Sequence, residues 1–228
     1  MTLLHIETSS KNCSVSISHN SELLCLCEKR SLDYKQSENL HQFVSWALEG
    51  AQIGFKDLDA IVLGKGPGSY TGLRIGASAA KGFCFALNLP LIGVQSLESM
   101  IPPVMSEEVD VIIPLIDARR MEVYTSVYDG KTGQKLEPTT NLILSENSFS
   151  EYQDKKVLFV GDGAKKAKEI LRLPNAKFDE EIYPSAKYMI TQAEKKFKNK
   201  EFEDVAYFEP FYLKEFQGIK KGEESKKP

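Results

Sequence analysis

Residues able to do chemistry gather at two predicted strand ends. The first is His5-Ile6-Glu7-Thr8-Ser9-Ser10, a carboxylate followed by hydroxyls. Glu7 can water-bridge a magnesium ion, and Thr8 or Ser10 can touch a phosphate, although no glycine lets a phosphate come close to this loop. An ordinary strand end followed by a turn has the same composition. The second end is Asp117-Ala118-Arg119-Arg120-Met121-Glu122. Two guanidiniums between carboxylates can order a phosphate or a carboxylate, or they can form structural or interface ion pairs, and pairing is the preferred reading. His5, His19 and His41 have no metal-ligand spacing and share no element, and there is no Gly-x-Ser-x-Gly elbow, so neither a metal site nor a nucleophilic triad is expected.

A third stretch bears on binding more than on catalysis. The run Asp59 to Leu63 reads as a buried strand, Gly64-Lys65-Gly66-Pro67-Gly68-Ser69-Tyr70-Thr71-Gly72 as a sharp turn, and Leu73 to Asn88 as a helix that Ser69 or Thr71 can cap. Amides at that helix start, with Lys65 and Arg74 nearby, can hold an anion, yet no Gly-Lys-Ser/Thr closes a P-loop pattern. A purely structural turn is the favoured alternative. Gly72, Gly76 and Ala80 recur at four-residue spacing with Phe83 beside them, so another backbone can come close, either a partner helix or part of the same chain.

These residues need a scaffold to position them. Leu3–Glu7, Cys13–Ser18 and Leu23–Arg30 read as an antiparallel meander. A helix over 37–54 follows, with Leu40, Phe43, Val44, Ala47, Leu48 and Ala51 on its apolar stripe and Trp46 well off it. Leu91–Val94 closes the first series, giving strand, strand, strand, helix, strand, helix, strand. That order resembles an RNase H-like lobe of the actin, Hsp70 and sugar-kinase superfamily. The second half restarts a similar arrangement, with strands at 109–117, 122–129, 141–145 and 157–160, a helix after Gly163 and a last long helix over 184–199. The expected organisation is therefore α/β, with mixed sheets flanked by helices: a lobe over 1–105, a second lobe over 106–216, and a disordered charged tail over 217–228.

Composition narrows the function classes. A formal net charge of −3 gives no electrostatic footprint for nucleic acid, so RNA is expected to be met only through a complex. The start lacks a signal-peptide pattern and no run approaches ~18 apolar residues, which points to a cytoplasmic protein with no membrane partner. The four cysteines form no Cys-x-x-Cys and are expected as buried free thiols.

The run Gly64 to Gly76, together with Ile6-Glu7-Thr8, Ile92-Gly93-Val94, Asp117 to Tyr124 and Glu209-Pro210-Phe211-Tyr212-Leu213, resembles the bacterial TsaB (YeaZ) family over nearly the whole chain. The resemblance implies a part in forming N6-threonylcarbamoyladenosine (t6A) at position 37 of tRNAs that read codons beginning with A. In that system a synthase makes threonylcarbamoyl-AMP from threonine, bicarbonate and ATP, the paralogue TsaD transfers the threonylcarbamoyl group, and the ATPase TsaE completes the assembly. Members of this family resemble a noncatalytic scaffold or activator of TsaD, joined through first-lobe helices.

The implied interface residues here are Leu40, Val44, Ala47, Ala51, Gly72, Gly76, Ala80 and Phe83, and the same surface can pair with itself as a homodimer. Where TsaD-like sequences carry His-x-x-x-His, this chain has Ser96 and Met100, so both metal positions are lost. Glu7, Thr8 and Ser10 remain as possible vestigial nucleotide contacts, and no cofactor is expected beyond a weak capacity for ATP or ADP with magnesium. The rival reading is an enzyme, either a metal-dependent glycoprotease or an ATP-dependent phosphotransferase of the actin-like superfamily. Tight magnesium-nucleotide binding would separate the two.

Overall fold

A computed structural model describes residues 1–30 and 36–214, with backbone only for 36–38; the expected tail over 217–228 lies outside the described residues. The first sheet is built from β1 (Thr2–Glu7), β2 (Asn12–His19) and β3 (Glu22–Arg30), then, after helix α1 (Gln36–Gly50), from β4 (Ala60–Gly64) and, after helix α2 (Tyr70–Leu87), β5 (Leu91–Val94). Their order is β3-β2-β1-β4-β5. The short connections make β1, β2 and β3 antiparallel, whereas the crossovers through helices make β4 parallel to β1 and β5 parallel to β4. Leu4, Ile6, Val15, Ile17, Ile61 and Leu63 face α1 and α2, which close this core with Leu40, Val44, Ala47 and Ala80.

The second sheet repeats the scheme. After the single-turn helix α3 (Ser96–Ser99) come β6 (Val111–Asp117), β7 (Glu122–Asp129) and β8 (Lys135–Ile143), then β9 (Val157–Val160), helix α4 (Ala164–Ile170) and β10 (Ala176–Asp179), in the order β10-β9-β6-β7-β8. Again the first three strands are antiparallel and the last two join in parallel. Two five-stranded mixed sheets of identical topology are the two RNase H-like lobes expected from the strand order.

Several expectations need correction. β8 begins at Lys135, not Asn141, and α1 ends at Gly50, while Gly54 introduces a separate 3-10 turn, Phe55–Asp57. β10 was not anticipated, because Ala176-Lys177-Phe178-Asp179 is too short and too charged to read as a strand. The last helix was assigned to the second lobe's span, 106–216. Instead the 3-10 turn Ala186–Met189 and helix α5 (Ile190–Lys198) lie on the far face of the first sheet, where Ala186, Met189 and Ala193 pack on Leu3, Val62, Ile92 and Val94. That face is apolar too, and it would otherwise meet water. Between the sheets Leu97, Met100 and Ile101 pack against Ile112, Ile116, Tyr124 and Tyr128 in a closed apolar layer.

Candidate functional site

Glu7 ends β1 in full burial, and its two carboxylate oxygens are already engaged. Oε1 accepts the Ser9 N–H at 2.6 Å and Oε2 accepts the Ser96 hydroxyl at 2.9 Å. Burial pushes the carboxyl above the usual range, against the pull of these donors. A side chain on Gly64 would meet Glu7 Oε2 at 2.0 Å, so glycine is required there for the carboxyl to fit. Ser96, one of the two positions expected to have lost an imidazole, donates its hydroxyl to the buried acid. Met100, the other, is fully buried in the layer between the lobes. Among the described residues no three His, Cys, Asp or Glu side chains converge as a metal site.

The glycine turn closes over the same loop. The Ser69 N–H donates to Ser9 O at 2.6 Å, and Ser69 Oγ caps α2 by accepting from the Gly72 N–H at 3.3 Å. A Cβ on Gly68 would lie 2.2 Å from Ser9 O, so the two loops are in backbone contact. Lys65 pairs with Glu203 at 2.8 Å, and Arg74 stacks over the Tyr70 ring at 5.0 Å. Thr8 spends its hydroxyl on Gly72 O at 2.8 Å. Ser10 is buried, and its oxygen accepts the Asn12 N–H at 3.1 Å. The Thr8 hydroxyl, the Ser10 oxygen and the Ser69 amide are thus all bonded within the chain.

The expected interface residues are placed otherwise than anticipated. Leu40, Val44, Ala47, Gly72, Gly76 and Ala80 are buried, and Ala51 and Phe83 are half-buried against the same core. A Cβ on Gly72 would meet Thr8 O at 2.0 Å, and one on Gly76 would meet Thr8 Oγ1 at 2.3 Å. The small residues at four-residue spacing thus serve the approach of α2 to the chain's own β1 end, and they are not available to a partner.

The opposite sides of α1 and α2 expose two large aromatics, Trp46, which the sequence had set apart, and Phe85, which it had not. Trp46 is 51% exposed and stacks on Phe43 at 5.8 Å; Phe85 is 88% exposed. Phe83, half-buried, lies between Phe55 at 5.6 Å and His41 at 5.9 Å where α1 and α2 meet. Ser78 and Gly82 lie on the exposed side of α2, and a Cβ on Gly82 would meet nothing within 4 Å. A mid-helix glycine costs about 1 kcal/mol relative to alanine, and no described residue requires this one. Trp46, off its helical stripe, was the visible signal. Phe85 was obscured because 83–87 is apolar all round.

At the second strand end the carboxylates are structural. Lys166 Nζ reaches Asp117 Oδ1 at 2.6 Å, Arg120 O at 2.9 Å and Glu122 O at 2.8 Å, and Glu122 also pairs with Lys214. Arg119 and Arg120 both adopt positive φ at the hairpin tip, with exposed side chains. The histidines stay apart: His5 is buried beside Ser18 Oγ at 2.8 Å, His19 bonds Thr2, and His41 sits on α1. Cys13 and Cys84 are buried and outside any disulfide, as expected, whereas Cys25 and Cys27 are only half-buried. A groove of about 780 Å³ lined by Met1, Pro90, Phe197 and Phe202 lies by the start of β1, away from Glu7.

Comparison with known proteins gives a consistent neighbourhood. The sequence profile of the TsaD family, described as tRNA N6-adenosine threonylcarbamoyltransferase, matches residues 33–218. A Bacillus subtilis protein named tRNA threonylcarbamoyladenosine biosynthesis protein TsaB is 30% identical, with both chains covered in full. The solved structure of YeaZ from Pseudomonas aeruginosa superposes with a TM-score of 0.77 at 24% identity, covering 93% of this chain and 99% of that one. A second structure, described as an uncharacterized protein with similarity to peptidase YeaZ from Pseudomonas aeruginosa, gives 0.78 at 24% identity over the same shares.

Proposed function

The chain belongs to the TsaB family, within the wider TsaD family, and from that premise we propose that it serves t6A formation on tRNA as a noncatalytic scaffold or activator of TsaD. In this reading TsaD transfers threonylcarbamoyl from threonylcarbamoyl-AMP to N6 of A37, TsaE joins the assembly, and tRNA reaches this chain only through the complex. The protein needs no cofactor and works in the cytoplasm. The outward sides of α1 and α2 bundle with the equivalent helices of TsaD, or with a second copy when the chain is alone.

One observation carries the reading: on the outward side of α2, Phe85 is exposed one turn from Gly82, whose missing side chain leaves room that no described residue uses, and Trp46 is exposed separately on α1. Exposed aromatics beside a small residue suit close helix packing with desolvation at the centre of an interface. The strand-end geometry supports the noncatalytic part, because Glu7 is saturated by Ser9 and Ser96 and Met100 fills the layer between the lobes. The named peptidase likeness of one neighbour has no counterpart in a converging set of metal ligands among the described residues.

The test is reconstitution of tRNA modification with TsaD, TsaE and the synthase, with and without this chain. Modification is expected to depend on it. Equal modification in its absence would reject the role.

A further inference from the structure

Residues 203–214 contain little regular structure, yet they run from the edge of the first sheet to the second lobe through a series of specific contacts. The Glu203 N–H donates to Leu91 O at 2.8 Å beside β5, and its carboxylate holds Lys65 Nζ. Lys81 of α2 donates to the carbonyls of Ala206 at 3.0 Å and Phe208 at 3.2 Å, and the Phe208 ring is buried in the first core. The Phe211 N–H then donates to Lys65 O at 2.7 Å inside the glycine turn. Beyond this point the chain crosses over: Leu213 packs on the apolar layer between the lobes and Lys214 pairs with Glu122 of β7.

We propose that residues 203–214 are a latch that holds the two lobes as one rigid body and fixes the β4–α2 turn against the second lobe. Hinge opening of a two-lobed protein requires a connection whose two sides can separate. Here separation would pull Leu213 out of an apolar layer and break an ion pair while Phe211 stays bonded to the turn. The first lobe's turn is therefore tied to the second lobe by a segment outside both sheets, and the closed layer of Leu97, Met100 and Ile101 stays dry. The inference uses only this chain's own contacts and stands whether or not the docking role is correct.

Hydrogen exchange on the full chain tests it, with two probe amides at the turn: Ser69, bonded to Ser9 O, and Ser96, bonded to Gly66 O at 3.0 Å. In the double variant Leu213→Ser/Lys214→Ala both are expected to exchange about tenfold faster or more, with amides inside β1 and β6 unchanged, as for a local opening below the global one. Phe211→Pro, which deletes the donor to Lys65 O and leaves Leu213 in place, should accelerate the same two amides. Wild-type rates at Ser69 and Ser96 in both variants would overturn the latch. So would an equal acceleration in β1 and β6, which would make the segment ordinary core.

Discussion

The two sides of α2 use glycine for opposite ends. On the inner side Gly76 lies so near Thr8 that a Cβ would fall 2.3 Å from its hydroxyl, while on the outer side the same atom on Gly82 would have no neighbour within 4 Å. Both are mid-helix glycines with an identical backbone penalty. The inner one is repaid within the fold by the approach of helix to strand end. The outer one has no such contact among the described residues, and this asymmetry, not the spacing of small residues, is what the proposed docking surface rests on.

The comparison can be pressed hardest from the inner side with pH. Burial lowers the His5 pKa from 6.5 to about 3, so the folded state resists protonation that the unfolded chain accepts. Stability should fall from pH 6.5 downward, by on the order of 4 kcal/mol at pH 3. Glu7 works in the other direction. Its folded pKa is raised, so its contribution is complete below 4.5 and is lost as pH rises through the folded value. Denaturant titrations across pH should therefore show Glu7→Gln more stable than the wild type near neutrality, with the gain shrinking as acid is added and the His5 slope left exposed. A flat stability profile in that variant would contradict the burial argument.

Gly76→Leu comes next in size. The added side chain must displace Thr8 and the Leu63 side chain, with an expected loss of about 3 kcal/mol, measured by urea unfolding. An unchanged midpoint would mean that the inner face is looser than described. Gly82→Ala is the smallest effect and the opposite in sign: a gain of about 1 kcal/mol from helix propensity alone, since nothing obstructs the methyl group.

How much of this was legible in the residues depends on whether the constraint was local. The meander, the glycine turn, the Ser69 cap and the repeat of one strand order in two halves follow from period and punctuation, and the structure bears them out. Glu7, Ser96 and Met100 were recognised as the positions that matter, but not that the first two bond each other across 89 residues or that the third joins the lobes. The Gly72–Gly76–Ala80 face was read as a docking surface because spacing reports that something comes close, without saying what; Thr8, more than 60 residues away, was the answer. Likewise no local pattern shows that residues 186–193 return to the first sheet. An apolar stripe states that it must be buried, and topology decides by what.

The most direct measurement is complex formation between this protein and TsaD by size-exclusion chromatography, comparing wild type with Gly82→Leu. The isolated variant should keep its fold, with a melting temperature at or slightly above the wild type's, because the new side chain points into open space and a glycine penalty is removed, while the complex with TsaD is lost. A Gly82→Leu protein that still elutes with TsaD as the wild type does would place the contact elsewhere and contradict the account.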